Sequence, residues 1–461
     1  FNLISGFTAL CEKYSSNQQS GIDELARILN NYLGELVQEI IGSGGDVIKF
    51  AGDAILSVWR INEIGDLPAT VNNVVNCCLG IQEKCADWNT ESGVSLTVKL
   101  GISAGDFTLT FIGNDECRYF VEMGSAISEV NKAESFCKSG YIVISPKAWT
   151  LCKQTSYEYE LMEDNKHVRV GTSSRCQGVT ITLSTVTDDG EAIDETSKDN
   201  NNTMLDRLLD YNFALSLCIL PVRNVVKQVA NLHLEEKLKL FITTPVLKKL
   251  SAGQPLEYLS EMRLVSVMFM NLIIDEEADT AQLLQEVFEI IHMEIKSMGG
   301  CLNKVFLFDK GCTFLVIFGL PGFKHSNDST RALQCSTRVK KILDSVTGVL
   351  HVSIGVTTGD TFCGVVGHKR RHEYSVIGRK VNMAARLMMH YPDKVTCDDE
   401  TYKATKIASR NFERLITKRM KGLRNVGVIR EFRFNEDEET GLENTIPFSD
   451  FPILGIRMFF M

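Results

Sequence analysis

Between Ile22 and Ile41 the apolar residues Leu25, Ile28, Leu29, Tyr32, Leu33, Leu36, Val37 and Ile40 recur at helical spacing. That period predicts an amphipathic helix with one buried face. The glycines of Gly42–Gly45 end it. Two short apolar runs follow, Asp46–Phe50 and Ala54–Trp59, on either side of Ala51-Gly52-Asp53. They predict a tight strand hairpin. A helical pattern over Val71–Trp88 leads to strand patterns at Leu96–Ser103, Phe107–Ile112 and Tyr119–Met123. A helix over Ala126–Phe136 and a strand over Tyr141–Ser145 complete a unit that Phe1–Ile4 opens as the tail of a strand.

The same order then repeats. Leu264–Ile274 predicts a strand, and Ala281–Met298 a long helix stopped by Gly299-Gly300. Leu302–Phe308 and Cys312–Phe318 predict a hairpin, Thr330–Ser345 a helix and His351–Thr357 a strand. Gly101, Gly105, Gly113 and Gly124 recur at Gly355, Gly359, Gly367 and Gly378, each 254 positions on. Ungapped glycines over such a span mark repeated backbone geometry. Each half reads β-α-β-β-α-β with extra strands. The expected class is α+β, with two ferredoxin-like domains that each lay helices on one face of a sheet. Thr185–Asn202 is acidic and polar and reads as a solvated linker. Met204–Leu259 reads as a helical connector. The expected division is therefore 1–184, a linker and connector over 185–259, 260–434, and an acidic tail over 435–461.

At 461 residues the chain has room for two or three domains. A net charge of −9 argues against a nucleic-acid or anionic-membrane binder. The aromatic pattern of an RNA-binding sheet is also missing. A nucleotide substrate needs only local positive charge. The 14 cysteines lack paired CxxC spacing, which fits free thiols in a reducing compartment. No apolar run reaches the roughly 18–20 residues that would span a bilayer, and no signal-peptide pattern is visible. A soluble, cytoplasmic protein is expected. Phe1 falls inside a strand pattern and Phe451–Met461 is apolar and unfinished, so a longer parent chain with a further C-terminal region is expected.

Four places carry candidate chemistry. Asp53, at the tip of the first hairpin, is either an exposed turn residue or a carboxylate placed to hold a phosphate-bearing divalent cation. Gly6, in Ile4-Ser5-Gly6-Phe7-Thr8-Ala9-Leu10, sits where a strand turns into a helix, a geometry that offers backbone N–H groups to phosphates. Asn382 and Arg386 are four apart and share a helix face. They are either a solvated surface pair or a ribose-orienting amide beside a cation for a transferring phosphoryl group. Lys304 interrupts an apolar strand and points either outward or into a pocket.

Taken together, the stretches ISGFTAL, GGDVIKFAGDAILSVWR, NKVFLFDKGCTF, RHEYSVIGRKVNMAARLMM and YPDKVTCD resemble the class III nucleotidyl cyclases. The likeness is greatest to the soluble, bicarbonate-responsive adenylyl cyclases and covers nearly the whole chain. It implies two cyclase homology domains paired about a pseudo-two-fold axis, with one catalytic and one degenerate interface site. It implies ATP as substrate and 3′,5′-cyclic AMP and pyrophosphate as products. Two divalent ions, Mg²⁺ or Mn²⁺, are expected, with Ca²⁺ a further candidate. By the resemblance, Asp53 is a metal carboxylate, Asn382 orients the ribose, Arg386 stabilises the transition state, and Lys304 with Ser375 reads the adenine. Lys99, Gly6, Phe7, Thr8 and Val381 are further substrate contacts. Lys49 and the position of Asn131 correspond to the anion site that would take bicarbonate.

Three departures accompany the likeness. Leu3 stands where the family carries its first metal aspartate, and leucine binds no metal. A catalytically impaired, nucleotide-binding regulatory module is therefore the alternative reading. Asn131 replaces an arginine of the anion site, with Lys132 beside it but about 100° away around a helix. Asn271 stands where a symmetric second site would place a metal aspartate. Pro452-Ile453-Leu454-Gly455 resembles the start of the NTPase-like region that follows in long members.

Overall fold

In the computed structural model the first long helix spans Gln19–Gly42, and the face set by its apolar spacing is buried. Leu25, Leu29, Tyr32, Leu36, Val37 and Ile40 all have 0% exposure. The structure describes residues 2–15, 19–52, 54–61, 63–85, 88–171, 231–275, 277–308, 311–368, 370–420, 423 and 426–434. The expected acidic linker and the acidic tail lie outside these residues, as does most of the expected connector. Its described part holds two helices, Leu232–Lys239 and Thr244–Ser251.

The first half contributes β1 (Asn2–Ser5), β2 (Asp46–Ala51), β3 (Ala54–Val58), β4 (Trp88–Asn89), β5 (Ser95–Ile102), β6 (Thr108–Gly113), β7 (Arg118–Met123), β8 (Ile142–Ile144), β9 (Tyr159–Leu161) and β10 (Val168–Val170). The second contributes β11 (Glu261–Ile274), β12 (Gly300–Phe308), β13 (Gly311–Phe318), β14 (Val349–His368), β15 (Arg371–Ile377), β16 (Val395–Cys397), β17 (Phe412–Arg414) and β18 (Arg430–Phe432). The two sheets share one strand order, β2-β3-β1-β5-β8-β10-β9 and β12-β13-β11-β14-β16-β18-β17. In each, one neighbouring pair is parallel, β5 with β8 and β14 with β16.

Two expectations needed correction. The strand expected to end at Thr357 runs on to His368, because the long β11 offers Glu261–Val265 as ladder partners for Gly359–Cys363. Among the described residues of the first half, β6 and β7 pair with each other as a separate two-stranded ribbon. The helix expected to reach Trp88 ends at Cys85. Trp88 pairs with Leu96 of β5 instead, and its ring meets Tyr32 edge-on at 5.5 Å.

The repeated glycines do repeat a geometry. Gly124 and Gly378 precede helices Ser125–Phe136 and Arg379–His390, with φ of 116° and 155°, a region that favours glycine. Gly101 and Gly355 let those helices lie close on the sheets. A Cβ on Gly355 would meet the Ala384 carbonyl oxygen at 2.3 Å, whereas one on Gly101 would meet the Val130 carbonyl oxygen at 3.2 Å. Gly355→Ala is therefore expected to cost about 3 kcal/mol of stability and Gly101→Ala about 1 kcal/mol or less. Urea unfolding of both variants checks the order, and equal costs would refute it.

The cores are interleaved. Phe362, Val366 and Ile377 of the second half pack into the core of the first. Ile112, Cys117 and Val121 of the first half pack into the core of the second. Among the described residues the cysteines are free thiols, and most are buried. No described helix is long and apolar enough to cross a membrane.

Candidate active site

Each hairpin carries a register irregularity just before a lysine, between Val47 and Lys49 in β2 and between Leu302 and Lys304 in β12. A bulge re-aims the side chain after it. Both ammonium groups consequently reach across to the other half. Lys304, 4% exposed, donates to the Phe50 carbonyl and to Ser375 Oγ at 2.8 Å, and pairs with Glu373 Oε1 at 2.6 Å. Lys49, 7% exposed, donates to the carbonyls of Val305 at 2.9 Å and Phe120 at 3.0 Å, and pairs with Glu122. The exchange is reciprocal: each lysine donates to the carbonyl of the residue that follows the other. A second exchange has the same form. Asn30 Oδ1 accepts the Gly367 N–H at 3.0 Å, and Gln285 Oε1 accepts the Gly113 N–H at 3.0 Å.

The structure thus buries Lys304 and brings it to Ser375, which is wholly buried. Burial pushes the Lys304 pKa below the ordinary lysine value, and the Glu373 carboxylate pulls against that shift. Glu373 also accepts the Phe50 N–H at 2.8 Å, and Arg371 forks onto Asp46 with Nε to Oδ1 at 2.8 Å. Glu373 was not anticipated. Its signal was present in Arg371–Ile377, where residues two apart share a strand face and Glu373 therefore lies beside Ser375.

Helix Arg379–His390 brings in the remaining second-half residues. Val381 is buried against Val265, Val267 and Ala384. Asn382 is half-buried and Arg386 exposed, one turn apart on the same side. In the first half, Gly6 has φ +97°, and a Cβ there would meet the Ser95 carbonyl oxygen at 2.5 Å, so glycine is required where helix Phe7–Ser15 begins. Phe7 is buried at 1% exposure and serves the core, and the Thr8 side chain lies outside the described residues. Lys99, expected at a phosphate, pairs with Glu134.

Asp53 lies outside the described residues. Its neighbour Ala54 pairs with Leu3 across β3 and β1. The position expected to supply a second carboxylate thus adjoins the hairpin but carries a hydrocarbon. Leucine has no lone pair, so the residues present do not fit two ions held by two carboxylates. Among the described residues no group of three or more His, Cys, Asp or Glu could hold a metal ion. At the expected anion site, the described residues give no hydrogen bond or ion pair between Lys49 and Asn131. The Asn131 Nδ2 is buried without a hydrogen-bond partner.

Residues 1–182 and 259–433 match the family described as the adenylate and guanylate cyclase catalytic domain. The chain belongs to this cyclase family. Over 468 residues it is 34% identical to adenylate cyclase type 10 of Rattus norvegicus, covering 98% of this chain and 27% of that protein. The Homo sapiens adenylate cyclase type 10 is 33% identical over 438 residues, covering 93% of this chain and 26% of its own. The cyclase chain therefore spans about a quarter of the length of these relatives. The solved adenylyl cyclase CyaB of P. aeruginosa aligns with 38% of this chain and 96% of its own, at 22% identity and a TM-score of 0.34.

Proposed function

We propose that this chain is the catalytic core of a soluble-type adenylyl cyclase, converting ATP to 3′,5′-cyclic AMP and pyrophosphate. Two ferredoxin-like cyclase domains, within 1–184 and 260–434, pair about a pseudo-two-fold axis. The observation that carries the reading is Lys304 held against Ser375 at the junction of the halves, with Asn382 and Arg386 on the helix that follows. The reciprocal lysine contacts support the paired arrangement.

In the reaction the ribose 3′-oxygen forms a bond to the α-phosphorus, the bond from that phosphorus to pyrophosphate breaks, and the hydroxyl proton leaves. Lys304 and Ser375 read the adenine edge by hydrogen bonding. On binding, Lys304 exchanges one of its present acceptors for a ring nitrogen. Asn382 orients the ribose so that its 3′-oxygen faces phosphorus. Arg386 meets the charge that grows on the phosphoryl oxygens. The backbone N–H groups after Gly6 face the phosphates. The family's general use of divalent ions enters as an assay condition, because Leu3 leaves the expected pair of carboxylates incomplete.

Similarity to adenylate cyclases along 98% of the chain supports this reading over the impaired, purely regulatory one. The test is direct. Purified chain with Mg²⁺ or Mn²⁺ is expected to form cyclic AMP from ATP in preference to cyclic GMP from GTP. Absence of product from both the natural chain and its Leu3→Asp variant would refute the proposal.

A further inference from the structure

The two re-aimed lysines are chemically alike but differently closed. Lys304 has an acceptor at the edge of the molecule, since the Glu373 side chain is 30% exposed. Its remaining contacts are one hydroxyl and one carbonyl. Lys49 has no such edge. Its carboxylate partner Glu122 is itself 3% exposed. The Lys49 Nζ lies 2.7 and 2.9 Å from the two Glu122 oxygens. Its other two N–H donors go to Phe120 and Val305 carbonyls. An ammonium has three donors, and all three are used within the protein. The rings of Phe120 and Phe306, with centroids 4.7 and 5.3 Å from Nζ, occupy further space around it.

We propose that Glu122 is a built-in anion for Lys49: its carboxylate fills the space that a small carboxylate or bicarbonate would otherwise take, so this chain binds no such anion there. A buried lysine needs a counter-charge. Where a protein leaves that charge out, a small anion from solution can supply it and thereby regulate. Here strand β7 supplies it covalently. The lysine is neutralised permanently, and the interface it bridges is locked independently of solution composition. The proposal deepens the cyclase reading, whose family resemblance implies an anion response, but it is read out without turnover.

The experiment is thermal unfolding of the full chain and of Glu122→Ala and Glu122→Gln, each with sodium bicarbonate, formate or acetate against equal sodium chloride. The natural chain is expected to show no anion-specific shift. Glu122→Ala leaves Lys49 buried and unpaired beside a carboxylate-sized space. Its midpoint is expected to fall by about 10 °C and to recover by several degrees in tens of millimolar formate, acetate or bicarbonate. Glu122→Gln, whose amide fills the space, is expected to fall without recovery. If Glu122→Ala does not fold, calorimetric titration of the natural chain with bicarbonate decides alone: binding with a stoichiometry near one overturns the proposal, and its absence supports it. Recovery of Glu122→Gln equal to that of Glu122→Ala, or indifference of Glu122→Ala to every anion, also overturns it. None of these failures touches cyclic AMP formation, so the cyclase reading stands or falls separately.

Discussion

Leu3→Asp is expected to raise cyclic AMP formation by about 10³-fold, roughly 4 kcal/mol of transition-state stabilisation. The backbone makes the estimate specific. Leu3 pairs with Ala54, the residue after Asp53, and with Lys99 on the other side. A carboxylate introduced at position 3 therefore stands opposite the residue that follows Asp53 in the sequence, without a change of register. The gain should lie mainly in kcat and require Mg²⁺ or Mn²⁺. Steady-state rates of both forms at several metal concentrations test it. A variant that folds, binds nucleotide and turns over no faster would show that position 3 is not a metal position in this chain.

Arg386→Ala is expected to lower kcat by 10²- to 10³-fold with KM nearly unchanged. Removing one donor to charge that develops in a transition state typically costs about 3–4 kcal/mol. Its helix is seated by other residues, since Ala384 and Leu387 abut Gly355 while Arg386 is exposed. Truncation should therefore leave the melting temperature unchanged. Arg386→Lys should recover little, because a point charge does not reproduce a planar fork. An equal rise in KM with constant kcat would instead make Arg386 an ordinary substrate-binding residue.

Much of this arrangement can be read from the chain before any coordinates. The 254-position glycine repeat foretold two equal sheets, because close helix packing and positive φ both demand glycine at the same places. The helical stripe of Leu25 to Ile40 foretold its buried face. Lys304 could not be resolved from strand alternation, because alternation assumes an unbroken pleat and the irregularity before Lys304 breaks it. Glu122 and Glu373 escaped for a different reason. A carboxylate within a strand is ordinary on a solvated face, and only the register irregularity of the distant hairpin in the same half turns a lysine onto it. The full extent of β14 depended likewise on the length of β11, which is a property of pairing and not of local pattern.

The interleaved cores have a consequence for how this protein behaves when diluted. Val366 sits in the first core and Ile112 in the second, so neither half can complete its interior without the other. In an assembly of two separate chains that mutual completion would be governed by mass action and would fail at low concentration. Here one polypeptide carries both partners, and each meets the other at an effective concentration set by the intervening chain. Specific activity should then stay constant from micromolar to picomolar protein, and the cell needs no matched synthesis of two subunits.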